Sequence, residues 1–329
     1  MFRNNLKKWL STRHEYSRSW NKVLASSFRL FHFFSLLLRL DRLSIYFRYL
    51  HTSSLTYSTF HAPASSRVYP RLEILFVSTA KDFDVLVASI EFASKATSHH
   101  KSVSYHVIVP RMEIEQCKEL LKDLPFQINV MNEEIFIDDE LLLQLRSSFS
   151  FRAGWVIQQI LKVSFVMNSQ APGVLVIDSD TLLLEPRIWL DSESNQILTP
   201  TWEYHPAYYK FLNSRGISRV RPKYTFVSHH MLMQPRIFRE AFSVAGWKDL
   251  DELVMTLVAI PKSEEESPFS IEYELYAQYM IIHYPDLVRL EKWSNVGFAR
   301  NGKSMTDIEK EVISNFKDRY ASISLHAYL

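Results

Sequence analysis

Gly173-Val174-Leu175-Val176-Ile177-Asp178-Ser179-Asp180-Thr181 is the stretch whose reading decides the fold. Val174 to Ile177 is an apolar run with no polar face. A strand of that kind is covered on both sides, as in a parallel sheet between two helix layers. The elements upstream agree. Phe151–Asn168 reads as a long helix, with Trp155, Ile157, Ile160, Leu161, Phe165 and Val166 turned inward. Leu72–Thr79, Tyr105–Val109 and Phe126–Val130 read as strands, and Asp82–Ala96 and Met112–Leu124 as the helices between them. This alternation predicts an α/β fold with right-handed crossovers. Ligands on such sheets bind beyond the carboxyl ends of the strands, which is where Asp178 and Asp180 stand.

Composition narrows the chemistry. The chain of 329 residues has six glycines, no two closer than five residues, so the glycine-rich dinucleotide and phosphate loops are both absent. The single cysteine, Cys117, excludes an intrachain disulfide and a cysteine-based zinc site and fits a reducing compartment.

Charge is unevenly placed. Residues 1–71 hold 12 Lys/Arg against two Asp/Glu, a net of +10, and residues 72–329 hold 26 against 34, a net of −8. The apolar stretch Val23–Leu40 is interrupted by Arg29 and His32, short of the roughly 20 apolar residues that a spanning helix needs. It also lacks a small-residue cleavage site of the secretory kind. Two readings stand: an arm packed on the body, or an aromatic and basic segment lying on an anionic membrane surface. No nucleic-acid-binding motif accompanies the charge, so no nucleic-acid partner is expected. His51–Ser66, rich in Ser, Thr and Pro, reads as a linker.

The 14 aspartates form three Asp-x-Asp triplets, so the bare pattern says little and context must choose. Asp249/Asp251 precedes the apolar helical run of Leu253, Val254 and Leu257 and reads as a helix cap with a first-turn charge. Asp82/Asp84 opens a helix and has the same explanation. Asp178/Asp180 follows a buried strand, where two carboxylates repel each other and lose hydration. They need strong donors or a cation. A hard divalent cation, Mn2+ or Mg2+, fits such oxygens and would bridge a diphosphate. A pair of solvated turn aspartates is the plainer alternative.

Four blocks now resemble the GT-A glycosyltransferases, which use nucleotide-sugar donors. They are Phe76–Asp82, Gly154–Lys162, Val176–Thr181, and Phe226–Met233 followed by Ser270–Tyr276. The last pair is similar to a bacterial glycosyltransferase-like family of unassigned specificity, often found among surface-polysaccharide genes. The resemblance implies a GT-A-like domain over 72–329 and leaves the basic head uncovered; composition makes that head a basic, aromatic-rich helical arm over 1–50 with a linker over 51–71. The resemblance implies a mostly parallel central sheet with helices on both faces, a nucleotide-sugar donor, and a glycan or lipid-linked acceptor. The reducing compartment is read as a cytoplasmic location, peripheral on the inner face of the plasma membrane if the arm binds lipid.

Residue by residue, the resemblance assigns Asp180 to the metal, and Asp178 to the metal directly or to the donor through its ribose. Asp82 falls to the nucleoside and Lys81 to phosphate. Gln158 and Lys162, four residues apart on one helix face, fall to the donor side; an ordinary amphipathic face is the alternative. His229 and His230 are adjacent on an expected strand and point to opposite faces, so only one faces the site, and the family-like pattern favours His230. Glu272, sharing a helix face with Tyr276, is the candidate base for an acceptor hydroxyl, or else a first-turn carboxylate complementing the helix dipole. His326, in an expected last strand over Ser322–Ala327, is the candidate third metal ligand, and imidazole suits manganese better than magnesium.

Two other functions compete. A metal-dependent phosphotransferase or hydrolase would need more carboxylates at neighbouring strand ends, yet the first two expected strands end in Thr79 and Val109. A non-catalytic GT-A-like glycan-binding module would have no need of the Asp178/Asp180 pair.

Overall fold

The computed structural model describes residues 69–201, 206–219, 225–260, 271–300, 303–308 and 313–327. The arm over 1–50 and the linker up to residue 68 lie outside the described residues. Among the described residues, no helix is long and apolar enough to cross a membrane.

The alternation read from the sequence is present. In order come β1 (Leu72–Val77), α1 (Phe83–Ala96), β2 (Val103–Val109), α2 (Ile114–Leu121), β3 (Ile128–Asn132), α3 (Asp139–Phe149), α4 (Ala153–Asn168) and β4 (Gly173–Asp178). There follow β5 (Thr181–Leu183), β6 (Gln196–Leu198), α5 (Pro206–Ser214), β7 (His230–Met233), α6 (Pro235–Val244), α7 (Leu250–Val258) and α8 (Ile271–His283). The described chain closes with β8 (Val288–Leu290), β9 (Asn295–Ala299), short helices at Met305–Ile308 and Ser314–Phe316, and β10 (Ser322–His326).

The central sheet has the order β3-β2-β1-β4-β7. Its first four strands are parallel, and β7 runs antiparallel to β4. The period of two along each strand sorts side chains between two cores. Leu75, Val77, Val174, Val176, Met231 and Met233 face one core with α3, α4, α6 and α8. Leu72, Ile74, Phe76, Leu175, Ile177 and Leu232 face the other with α1 and α2. Each such aliphatic side chain contributes roughly 1.5–3 kcal/mol on burial. The sheet is therefore mostly parallel with helices on both faces, as the run from Val174 to Ile177 implied.

Element ends depart from expectation by a few residues, for local reasons. Phe126 stacks on Tyr105 with ring centroids 4.8 Å apart and does not enter the ladder, so β3 begins at Ile128. Arg111–Glu113 forms a 3-10 turn, which delays α2 to Ile114. Asp249 caps α7, accepting from the Glu252 N–H at 2.9 Å, as the triplet there suggested. Asp82 does not cap α1 with its side chain; that carboxylate is committed elsewhere. Cys117 is fully buried, and burial pushes its thiol up to about 12.

A second sheet, in the order β5-β10-β9, brings the chain's end to the acidic turn. β10 pairs antiparallel with β5, Ser324 opposite Thr181, and the Leu325 N–H donates to the Asp180 carbonyl at 2.8 Å.

Candidate functional site

Asp178 is the last residue of β4 and shares the parity of Val174 and Val176, so its side chain leans toward α4 and α8. Those helices supply its partners. Lys162 Nζ, on α4, donates to Asp178 Oδ1 at 2.6 Å, and the Tyr273 hydroxyl, on α8, donates to the same oxygen at 3.1 Å. His229 Nδ1 lies 3.1 Å from Oδ2. The like-charge problem at the turn is thus met in part by protein donors. Burial alone would raise the Asp178 carboxyl, but Lys162 and His229 outweigh it and hold it well below the usual carboxylate range. Burial likewise works against the Lys162 ammonium, and Asp178 and Glu272 reverse the direction, raising its pKa.

Glu272 lies on the far side of the lysine. Its Oε1 is 3.5 Å from Lys162 Nζ, while Oε2 is buried with no hydrogen-bond partner among the described residues. Burial raises its pKa despite the lysine. A buried carboxylate oxygen without a donor is costly.

Asp180 belongs to the second half of the site. His326 Nδ1 lies 3.1 Å from Asp180 Oδ2, and Thr181 Oγ1 lies 3.4 Å from Oδ1. The His229 and His326 rings are 5.6 Å apart, so the two carboxylate–imidazole couples are neighbours. Among the described residues, no three or more His, Cys, Asp or Glu side chains are already gathered to hold a metal ion. Two carboxylates and two imidazoles stand at the strand ends, and these are ligand types that a divalent cation such as Mn2+ accepts.

The first strand's exit turn is latched. Arg300, after β9, donates to Asp82 Oδ1 at 2.6 Å and to the Lys81 carbonyl at 3.1 Å, and it also pairs with Asp84. Burial, with a contribution from Asp180, raises the Asp82 pKa even against Lys81 and Arg300. Lys81 is exposed, its ammonium 3.9 Å from Asp82. Gln158 Nε2 reaches the Val77 carbonyl at 3.4 Å, and Val77 pairs with Asp178 in the sheet, which puts Gln158 beside the turn.

One assignment is corrected. His230 shares the parity of Leu232 and points into the opposite core, with its ring 4.4 Å from that of Trp293 and 5.5 Å from that of Trp189. Its Nδ1 bonds the Ser228 carbonyl at 2.9 Å, and burial lowers its pKa to about 3. It is a neutral core histidine, and His229 is the one that faces the acidic turn. Tyr276 is structural too: its hydroxyl donates to Gln196 and accepts from the Gln234 N–H at 2.9 Å. The tyrosine at the site is its neighbour Tyr273. Glu274 is fully buried in a separate network with Tyr209, Thr225, the Phe226 N–H and Gln278.

Sequence reasoning missed His229, Tyr273 and Arg300. His229 stands just before β7 with φ +63°, so strand alternation alone does not place its ring. Nothing in the sequence links Arg300 to Asp82.

Comparison with known proteins adds the following. The model of a family of unknown function, DUF6492, matches residues 69–211. No curated protein matches the sequence. Among solved structures, mouse xyloside xylosyltransferase 1 in its apo form is similar at 14% identity and a TM-score of 0.45, covering 78% of this chain and 98% of its own. The galactosyltransferase LgtC, solved with donor and acceptor sugar analogs, is similar at 11% identity and a TM-score of 0.44, covering 77% and 86%. The bifunctional glycosyltransferase WbbM is similar at 13% identity and a TM-score of 0.39, covering 82% of this chain and 47% of its own. These similar structures are glycosyltransferases.

Proposed function

We propose that this protein is a metal-dependent glycosyltransferase that moves a sugar from a nucleotide-sugar donor to a glycan or lipid-linked acceptor, in surface-polysaccharide synthesis. The observation that carries the reading is the Asp178-Ser179-Asp180 turn at the carboxyl edge of a parallel sheet, each carboxylate within 3.1 Å of an imidazole nitrogen. Mn2+ or Mg2+ would be held by Asp178, Asp180 and His326. When bound, it would offset the charge of the departing nucleoside diphosphate.

The chain's own residues do the rest. Lys162 fixes the Asp178 carboxylate and puts a positive charge beside it. Glu272 offers Oε2 to a sugar or acceptor hydroxyl, and its raised pKa brings it nearer to what a proton acceptor needs at neutral pH. Gln158 borders the same edge, and Arg300 holds the turn carrying Lys81 and Asp82 in place for the nucleotide. Residues 1–50, with a net charge of +8, would hold the enzyme to the inner face of the plasma membrane.

The test is a thermal melt of the full chain with UDP and with GDP, each with and without Mn2+. A manganese-dependent rise with either nucleotide supports the proposal, followed by release of sugar from the matching donor. No response to either nucleotide would overturn the proposal and favour the non-catalytic glycan-binding module.

A further inference from the structure

His229 adopts φ +63°, the left-handed region that a residue bearing a β-carbon rarely enters. The conformation aims its imidazole at the acidic turn. Nδ1 lies 3.1 Å from Asp178 Oδ2, and its backbone carbonyl accepts from the Asp178 N–H at 2.9 Å. Across a gap of 5.6 Å between ring centroids stands His326, itself 3.1 Å from Asp180 Oδ2. Each carboxylate of the turn therefore faces an imidazole, one from the start of β7 and one from the end of β10.

Asp178 is not free to serve a cation with both oxygens. Oδ1 already accepts from Lys162 and Tyr273, which leaves Oδ2, the oxygen that His229 shares. The turn is thus poorer in available oxygen than its two carboxylates suggest, and richer in nitrogen. Mg2+ takes oxygen ligands in strict octahedral geometry and gives up water reluctantly; Mn2+ accepts imidazole.

Resting on the reading of a divalent cation at Asp178 and Asp180, we infer that His229 is a further ligand of that cation, and that this second imidazole selects Mn2+ over Mg2+. Binding exchanges the two carboxylate–imidazole contacts for bonds to the ion. His229 is then more than a group that orients Asp178.

The variant His229→Gly removes the ring and suits φ +63°, so it is expected to melt no lower than wild type. Full-length protein is titrated with MnCl2 alone, following the paramagnetic resonance of free Mn2+, and then competed with MgCl2. Wild type should bind one Mn2+ and show nitrogen couplings from two imidazoles. H229G should show one imidazole, bind Mn2+ about tenfold or more weakly, and keep its Mg2+ affinity within about twofold. Unchanged Mn2+ affinity in H229G, or equal weakening for both ions, overturns the inference and leaves His229 an orienting group. Asp180→Ala separates the two levels: if it abolishes Mn2+ binding while H229G does not alter it, only this inference fails. If wild type binds no Mn2+, the cation reading fails with it.

Discussion

Lys162 Nζ lies 2.6 Å from Asp178 Oδ1, and the lysine side chain is only 3% exposed. Breaking a buried pair by removing one partner leaves an uncompensated charge, at a cost of about 3–5 kcal/mol. Lys162→Met strands both Asp178 and Glu272, so it should destabilise by about that amount in urea unfolding. The double variant Lys162→Met/Asp178→Asn should recover part of the loss. Strict additivity of the two single changes would show that the pair does not couple.

Asp180 is the complementary case. Its partners are His326 and Thr181, and its side chain is 17% exposed. Asp180→Ala should abolish transfer and manganese-dependent nucleotide binding with the fold intact by circular dichroism. Asp249→Ala is the control, a capping loss of about 0.5–2 kcal/mol with full activity. Wild-type transfer by Asp180→Ala would refute the role of the turn.

The contrast between these aspartates shows what the sequence discloses and what it withholds. A four-residue apolar run ending in Asp-Ser-Asp reports burial and strand direction, so the sheet and the location of the turn could be read directly. The partners of that turn could not. His229 rather than His230 faces Asp178 because β7 pairs antiparallel with β4, Ile177 opposite His230, and that register is a long-range property. Tyr273, not Tyr276, reaches Asp178, and helical spacing gives a face relative to Glu272 but not which face meets the sheet. Arg300 lies 218 residues from Asp82 in the chain, and only the folded structure joins them.

His100 predicts a pH dependence away from the site. Its ring is buried. Nε2 accepts from the Trp189 N–H at 3.2 Å, so Nδ1 carries the proton and donates to the Pro70 carbonyl at 3.0 Å. Protonating Nε2 would break the bond to Trp189. Burial lowers its pKa below the ordinary 6.5, so between the two values the unfolded state binds more protons. The stability it contributes is full above about pH 6.5 and is lost as pH falls from there through the folded-state value. Stability measured by urea at pH 7.5, 6.5 and 5.5 should fall with acidification, and His100→Gln should flatten that slope while lowering stability at pH 7.5. Equal slopes in the two proteins would show that His100 does not remain neutral on folding.

The basic arm supplies the last prediction. Residues 1–50 carry ten Lys/Arg against Glu15 and Asp41, together with Phe31, Phe33, Phe34 and Leu36–Leu38. Each basic group near an anionic surface is worth about 1 kcal/mol at most, so one or two bind nothing, whereas several acting together give useful binding that salt weakens. Apolar insertion adds a component that salt does not weaken. Full-length protein should therefore sediment with vesicles containing phosphatidylserine at low salt, be largely released at high salt, and ignore neutral phosphatidylcholine vesicles. Arg29, Arg39, Arg42 and Arg48 changed together to Glu should abolish sedimentation, because the change removes the net positive charge of residues 1–50. Full-length protein that ignores anionic vesicles at low salt would leave the arm a structural element and remove the membrane from the proposed setting.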